Sequence, residues 1–353
     1  ITMGAGNDTV TYGGAASTVA GKLGSVNAGD GEDTIVMTEA QANAASGNSV
    51  FNSSFSGFEV LSLNTVTTNT IDLDGINGID KVKTTAATAL TLNNMDTNGR
   101  LTLTAASTAV TVGIKGALLS TADVLNIDLE NSTAATVAFG SVTAANVETI
   151  NINTVDKGLI GTDGVNVLAT QDTATLVATS ATKIVVTGNN GLDLTNTGNT
   201  KVTTFDASAV AGDNVEDTAA ALGVVYASAT TVAANTADTV VTIIGGAGND
   251  VLTGNDTKDT ITGGAGSDLI TGGANSDTIN VGSGRDAISY STTDAGVTDS
   301  STAAFDSINN FTMATAITTG VNLTDTTAAL VHGKLAASTA GGKDMSLLVL
   351  NAT

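Results

Sequence analysis

The sequence predicts an all-β protein, a parallel β-solenoid with a short, strictly periodic β-roll near its C-terminus. Three observations carry this. From Gly245 the chain reads GGAGNDVLT, GNDTKDTIT, GGAGSDLIT, GGANSDTIN and VGSGRDAIS, five consecutive blocks of nine residues. Upstream, apolar residues alternate with Thr and Asn, as in Leu101-Thr102-Leu103-Thr104 and Val110-Thr111-Val112. Period-two alternation with β-branched residues gives strands with one buried face. Finally, the 353 residues include 40 Gly but no Pro, Trp or Cys, and only 3% are aromatic. That mixture suits short strands and tight turns, not helices or an aromatic core.

The elements follow in order. Residues 1–50 carry two isolated glycine-aspartate turns, Gly4-Ala5-Gly6-Asn7-Asp8 and Gly29-Asp30-Gly31-Glu32-Asp33. Their aspartates are not a multiple of nine apart, so they read as separate turns outside any array. Thr38-Glu39-Ala40-Gln41-Ala42 predicts a short helical turn, and so does Asp217-Thr218-Ala219-Ala220-Ala221-Leu222. Residues 51–244 form the Thr/Asn-rich solenoid. Within it Phe58-Glu59-Val60-Leu61-Ser62-Leu63 is echoed by Val147-Glu148-Thr149-Ile150-Asn151-Ile152, and more loosely by Asp123-Val124-Leu125-Asn126-Ile127-Asp128-Leu129. Strands repeated at intervals point to a solenoid, although a run of antiparallel sandwiches would produce similar alternation. Residues 245–289 are the roll. Residues 290–353 form a C-terminal cap that alternates weakly through Met345-Ser346-Leu347-Leu348-Val349-Leu350.

Composition excludes several kinds of function. Without Cys there are no disulfides, thiolate metal sites or cysteine nucleophiles. The single histidine, His332, rules out multi-histidine metal sites and reads as a loop residue. HExxH and GxSxG are absent, and Gly282-Ser283-Gly284 does not supply the latter. The chain reads as non-enzymatic. The net charge of −22 makes nucleic acid a poor partner. It arises from 28 Asp and only 6 Glu, and Asp is the residue of turns and short-reach cation sites. On composition alone, a solvated acidic surface and cation binding both fit.

The repeat favours the cation. Asp occupies the sixth place of every block (Asp250, Asp259, Asp268, Asp277, Asp286), and an aliphatic residue the eighth (Leu252, Ile261, Ile270, Ile279, Ile288). The glycine-rich six residues predict a turn and the last three a short strand. Two blocks then close a coil of eighteen, with Asp250, Asp268 and Asp286 in one column and Asp259 and Asp277 in the other. Carboxylates stacked at the ~4.8 Å strand spacing repel one another unless a cation lies between them. Calcium suits such a site, because it is hard and accepts backbone carbonyls. Strands this short bury little area, so metal binding contributes much of the folding energy.

Gly245–Ser289 closely resembles the RTX β-roll family of calcium-binding nonapeptide repeats. The resemblance implies several Ca2+ ions. Each is held by places two, four and six of one turn and by places one, three and five of its stacked neighbour, mostly through carbonyls. It assigns Gly246, Gly248 and Asp250, Gly264, Gly266 and Asp268, and Gly282, Gly284 and Asp286 to one column. Asn255, Thr257 and Asp259, with Gly273, Asn275 and Asp277, fall in the other. Gly245, Ala247, Asn249, Asp256, Gly263, Ala265, Gly272 and Ala274 supply the alternate places. The isolated turns add Gly4, Gly6, Asp8, Gly29, Gly31 and Asp33. Thr257 and Asn275 stand where the pattern has glycine, and Lys258 and Arg285 cannot ligate, which predicts weaker sites there.

The wider texture, with strands such as Val147-Glu148-Thr149-Ile150-Asn151-Ile152-Asn153-Thr154, resembles RTX surface-layer proteins of Gram-negative bacteria. That resemblance implies a secreted chain that assembles with itself into a two-dimensional lattice on the cell surface. It also implies a C-terminal type I secretion signal, and attachment to outer-membrane lipopolysaccharide through a part N-terminal to this sequence. Phe305-Asp306-Ser307-Ile308-Asn309-Asn310-Phe311 resembles the segment that often follows such arrays. Asp72-Leu73-Asp74-Gly75 and Asp213-Asn214-Val215-Glu216-Asp217 are candidates for bridging cations between copies, with solvated turns as the alternative. A calcium-stiffened RTX adhesin is the rival reading. The start at Ile1 and the lack of any long apolar run read as a fragment of a larger soluble protein with no transmembrane segment.

Overall fold

A computed structural model describes residues 1–15, 24–64, 69–76, 78–133, 135–157, 171–211, 223–231, 240–289, 306–310 and 334–335. From Thr70–Asp72 to Ala287–Ile288 successive strands alternate between two sheets, so that each coil contributes one strand to each, while Val26–Asn27 and Phe55–Ser56 pair in a small sheet of their own near the N-terminus. Among the described residues one of the two alternating sheets has fourteen strands, from Thr9–Thr11 to Lys334–Leu335, and the other has ten, from Thr70–Asp72 to Ala287–Ile288. Every strand pairing among the described residues is parallel, as in Val124–Asn131 with Thr149–Asp156 and Lys258–Ala265 with Thr278–Ser283. The chain is therefore a parallel two-sheet solenoid, not a run of antiparallel sandwiches. Its echoed segments all lie in the fourteen-stranded sheet.

Period-two alternation puts one side chain in two inside, and parallel register stacks the inward ones into ladders. Leu125, Ile150, Ile184, Phe205, Ile243, Ile261, Ile279 and Ile308 form one such ladder and are all buried. On the other sheet Leu194, Tyr226, Leu252, Ile270 and Ile288 do the same. The eighth-place aliphatics of the repeat thus continue the core of the solenoid. Just upstream of the roll, Phe205 and Tyr226 stack with ring centroids 3.8 Å apart.

Helix α1 (Glu39–Ser46) forms where the sequence predicts a helical turn. Thr38 caps it, and Gln41 closes a reciprocal capping box. Helix α2 (Ser49–Ser54) is a correction, since the alternating strand texture was expected from Phe51 onward. The Asn48 side chain accepts the Val50 and Phe51 N–H groups and starts a helix. Phe51 then buries against Tyr12 and stacks on Phe55 at 4.7 Å. The segments 217–222 and 345–350, and His332, lie outside the described residues.

Candidate metal centre

The roll repeats every eighteen residues, and this period places each aspartate directly over its equivalent. In one column the Val224 N–H donates to Asp250 Oδ1 (2.6 Å), the Asp250 N–H to Asp268 Oδ1 (2.9 Å), and the Asp268 N–H to Asp286 Oδ1 (3.1 Å). In the other the Asp259 N–H donates to Asp277 Oδ1 (2.8 Å). Backbone amides, and not a cation alone, therefore offset part of the repulsion between stacked carboxylates.

The second carboxylate oxygen distinguishes the sites. Asp250 Oδ2 accepts the Gly246 N–H at 2.8 Å, and Asp259 Oδ2 accepts the Asn255 N–H at 2.7 Å. Asp268 is only 2% exposed, yet its Oδ2 is buried without a hydrogen-bond partner. An ionised oxygen in that position is costly unless a cation meets it. Burial is the main cause that pushes the Asp268 carboxyl up to about 7 and that of Asp250 up to about 6, and it raises Asp259 as well. A divalent ion beside these groups would reverse that tendency.

Glycine leaves room for close packing around these oxygens. A Cβ at Gly245 would overlap Asp250 Oδ2 and the Gly263 carbonyl, and one at Gly263 would overlap Asp268 Oδ2 and the Val281 carbonyl. Gly254 and Gly272 face Asp259 Oδ2 and Asp277 Oδ2 in the same way. Gly264 and Gly282 lie over the carbonyls of Gly246 and Gly264, and Gly266 and Gly284 over those of Gly248 and Gly266, all four at positive φ. Ala247 bridges Ala265, and Asn249 Oδ1 accepts the Ser267 N–H. Among the described residues no three Asp, Glu, His or Cys side chains converge on one point. An ion here would be held largely by carbonyl oxygen, which suits calcium.

The other column is built differently. The Thr257 hydroxyl lies 2.7 Å from Asn255 Oδ1 and 2.8 Å from Asp259 Oδ1, so protein groups reach both Asp259 oxygens. Asn275 takes the left-handed conformation (φ 76°) at the glycine place, and its amide donates to the Asp256 carbonyl at 2.6 Å. Gly273 lies over the Asn255 carbonyl, and the Ala274 N–H donates to that same oxygen (3.0 Å).

The RTX calcium-binding nonapeptide repeat family, in its four-copy form, matches residues 242–268 and 253–288. Residues 242–288 are thus an RTX repeat array. Its repeats bind Ca2+ at several sites, and the RTX roll continues the same two sheets as the solenoid before it. No curated protein matches the chain closely enough to be counted a relative.

Periodicity missed several members of the columns. The Asp277 N–H donates to Asp306 Oδ1 (3.0 Å), so Asp306 extends the array across a 29-residue separation. Asp172 stands in the Asp250 column three coils earlier, and its Oδ1 accepts the Val137 N–H at 2.7 Å. There the Asn131 and Asn190 amides donate to Oδ1 (2.9 Å) and Oδ2 (2.6 Å), taking up both oxygens without metal. The expectation that the two N-terminal turns are separate is wrong. Gly4, Gly6 and Asp8 lie directly against Gly29, Gly31 and Asp33, because a 25-residue coil brings one turn over the other. In the Asp72–Gly75 loop, Asp72 caps the Asp74 N–H (3.2 Å) and accepts the Asn94 amide (2.8 Å), while Asp74 pairs with Lys115. The 213–217 segment lies outside the described residues.

Proposed function

We propose that the protein is a non-enzymatic structural protein of the cell surface that leaves the cell unfolded, folds on calcium outside, and assembles with its own copies. The observation that carries this reading is the stacked carboxylate column with the buried, unpartnered Asp268 Oδ2. Such a column is completed by a cation that is abundant outside cells and scarce within. Calcium near ~1 mM stabilises a ~10 µM site by about 2.7 kcal/mol, and cytosolic calcium adds almost nothing. Secretion of an unfolded chain and folding after export follow from that difference. Among the described residues no helix is long and apolar enough to cross a membrane.

Assembly into a surface layer rests on charge. At −22 the copies repel one another, and simple salt screens only beyond a Debye length of ~8 Å. Divalent ions that bridge surface carboxylates convert this repulsion into contact. Millimolar calcium should therefore yield sheets in negative-stain micrographs and a steep rise in light scattering, while sodium chloride of equal ionic strength should not. A folded, calcium-loaded monomer at high concentration would reject the lattice and favour the adhesin. One observation supports that second reading: the outward face is cross-linked between coils, through Asn151 to Asn126 (2.9 Å) and Lys83 to Glu130 (3.0 Å), as a stiff rod requires.

A further inference from the structure

We propose that the two N-terminal turns, Gly4–Asp8 and Gly29–Asp33, together form one calcium site at the opposite end of the solenoid, outside the nonapeptide array. This site stands independently of the assembly reading. The contact set of the roll recurs at this end of the molecule.

In the roll, the Asp250 N–H donates to Asp268 Oδ1 (2.9 Å). At the N-terminal end the Asp8 N–H donates to Asp33 Oδ1 (2.7 Å). The Gly248 N–H donates to the Ala265 carbonyl (2.7 Å), and the Ala265 N–H to the Gly246 carbonyl (3.0 Å). Their counterparts are Gly6 to Asp30 (2.8 Å) and Asp30 to Gly4 (3.3 Å). Asn249 Oδ1 accepts the Ser267 N–H at 2.6 Å, and Asn7 Oδ1 accepts the Glu32 N–H at 3.0 Å. Gly264 and Gly266 lie at positive φ over the Gly246 and Gly248 carbonyls, just as Gly29 and Gly31 lie at positive φ over those of Gly4 and Gly6.

The decisive atom is the second oxygen of Asp33. Its residue is fully buried, and Oδ2 has no hydrogen-bond partner, the same condition as Asp268 Oδ2. Stacking repeats the backbone path, but nothing in the backbone requires an ionisable oxygen to stay buried and unpartnered. A hard cation accounts for it, and the oxygen-only surroundings of glycine carbonyls, Asp8 and Asp33 select calcium over softer metals. The pattern then breaks. Asp33 donates its N–H to Glu59 Oε2 (2.8 Å), but the third turn is cut to Gly57-Phe58-Glu59, so one ion is expected here and not a row. Among the described residues, strand Thr9–Thr11 pairs with Thr34–Met37 alone, over three residues. The ion therefore decides how firmly the terminal coil holds to the sheet.

The test uses the full chain with calcium alone as the ligand, read by hydrogen exchange and by isothermal titration. In wild type, calcium should slow exchange in residues 1–15 at least tenfold, as well as in 245–289. Asp33→Asn keeps the acceptor for the Asp8 N–H. It should abolish the N-terminal slowing and remove one bound calcium, while 245–289 stay protected. Asp268→Asn should do the reverse. Asp8→Asn, at a half-exposed position, serves as a second variant should Asp33→Asn fail to fold in EGTA. Unchanged exchange of residues 1–15 in wild type on adding calcium would overturn the proposal, as would full stoichiometry in a folded Asp33→Asn or Asp8→Asn variant.

Discussion

Replacing Asp268 by Asn should stabilise the metal-free roll, and calcium should cancel that gain. The side chain is 2% exposed and accepts one backbone N–H at 2.9 Å, and its other oxygen meets no donor. In the metal-free chain, burial first, and then the charges of Asp250 and Asp286, raise its pKa from 3.8 to about 7. Each unit corresponds to ~1.4 kcal/mol, so ionised Asp268 costs the metal-free roll at most about 4 kcal/mol well above pH 7. Because the folded value is raised, the metal-free roll keeps its full stability below the unfolded value near 3.8. It loses stability as pH rises through about 7. Asparagine removes the charge and keeps the shape, but buries an amide without an acceptor, at a cost of ~1–2 kcal/mol. Urea unfolding in EGTA at about pH 8 should therefore show a net gain of at most roughly 2–3 kcal/mol, fading as pH falls toward ~5. With calcium present the variant lacks an anionic ligand, and loss of the ~2.7 kcal/mol that a ~10 µM site draws from ~1 mM calcium offsets the gain. Equal destabilisation in EGTA and in calcium, with no pH dependence, would refute the reasoning.

Asp268→Ala should weaken calcium binding more than Asp286→Ala in titration calorimetry. Asp268 is bonded to a stacked neighbour on both sides, whereas the partly exposed Asp286 ends the column beside Arg285. Gly266→Ala should lower the melting temperature in calcium and leave the roll unable to close, because φ is +130° and the new Cβ overlaps the Gly248 carbonyl; strain of this kind costs ~1–3 kcal/mol or more. Asn190→Ala removes a 2.6 Å donor from Asp172, which is 1% exposed and pushed up to about 6 mainly by burial. It should cost ~1–3 kcal/mol by urea unfolding, equally in EGTA and in calcium, because protein amides and not an ion serve that corner.

The central solenoid and the roll use the same device with different donors. At Asp172 two asparagine amides and one backbone N–H meet the carboxylate, while at Asp268 a single backbone N–H does. Whether protein groups alone satisfy these two buried carboxylates therefore follows the local supply of N–H donors, not the presence of aspartate. That supply could not be read from the sequence. Asn131 and Asn190 lie 41 and 18 residues from Asp172, and no spacing rule joins them.

The sequence by itself determined the phase of the roll, its inward aliphatics and its two aspartate columns. A constant eighteen-residue coil makes vertical neighbours a matter of arithmetic. It also determined helix α1, because a capping box is a local hydrogen-bond pattern. Helix α2 needed the burial of Phe51 against Tyr12 and Phe55, contacts that form only once the coils stack. Only the tertiary structure decided that Gly4–Asp8 lies on Gly29–Asp33, that Asp306 follows Asp277, and that Asp172 shares the column of Asp250. Outside the roll the separation between stacked residues varies, with 25, 26 and 34 residues at different coils. Hydrogen bonding between strands fixes the register of the sheet, while each excursion between strands takes whatever length its loop or helix requires. Which carboxylate faces which amide is thus set by the sheet and not by distance along the chain.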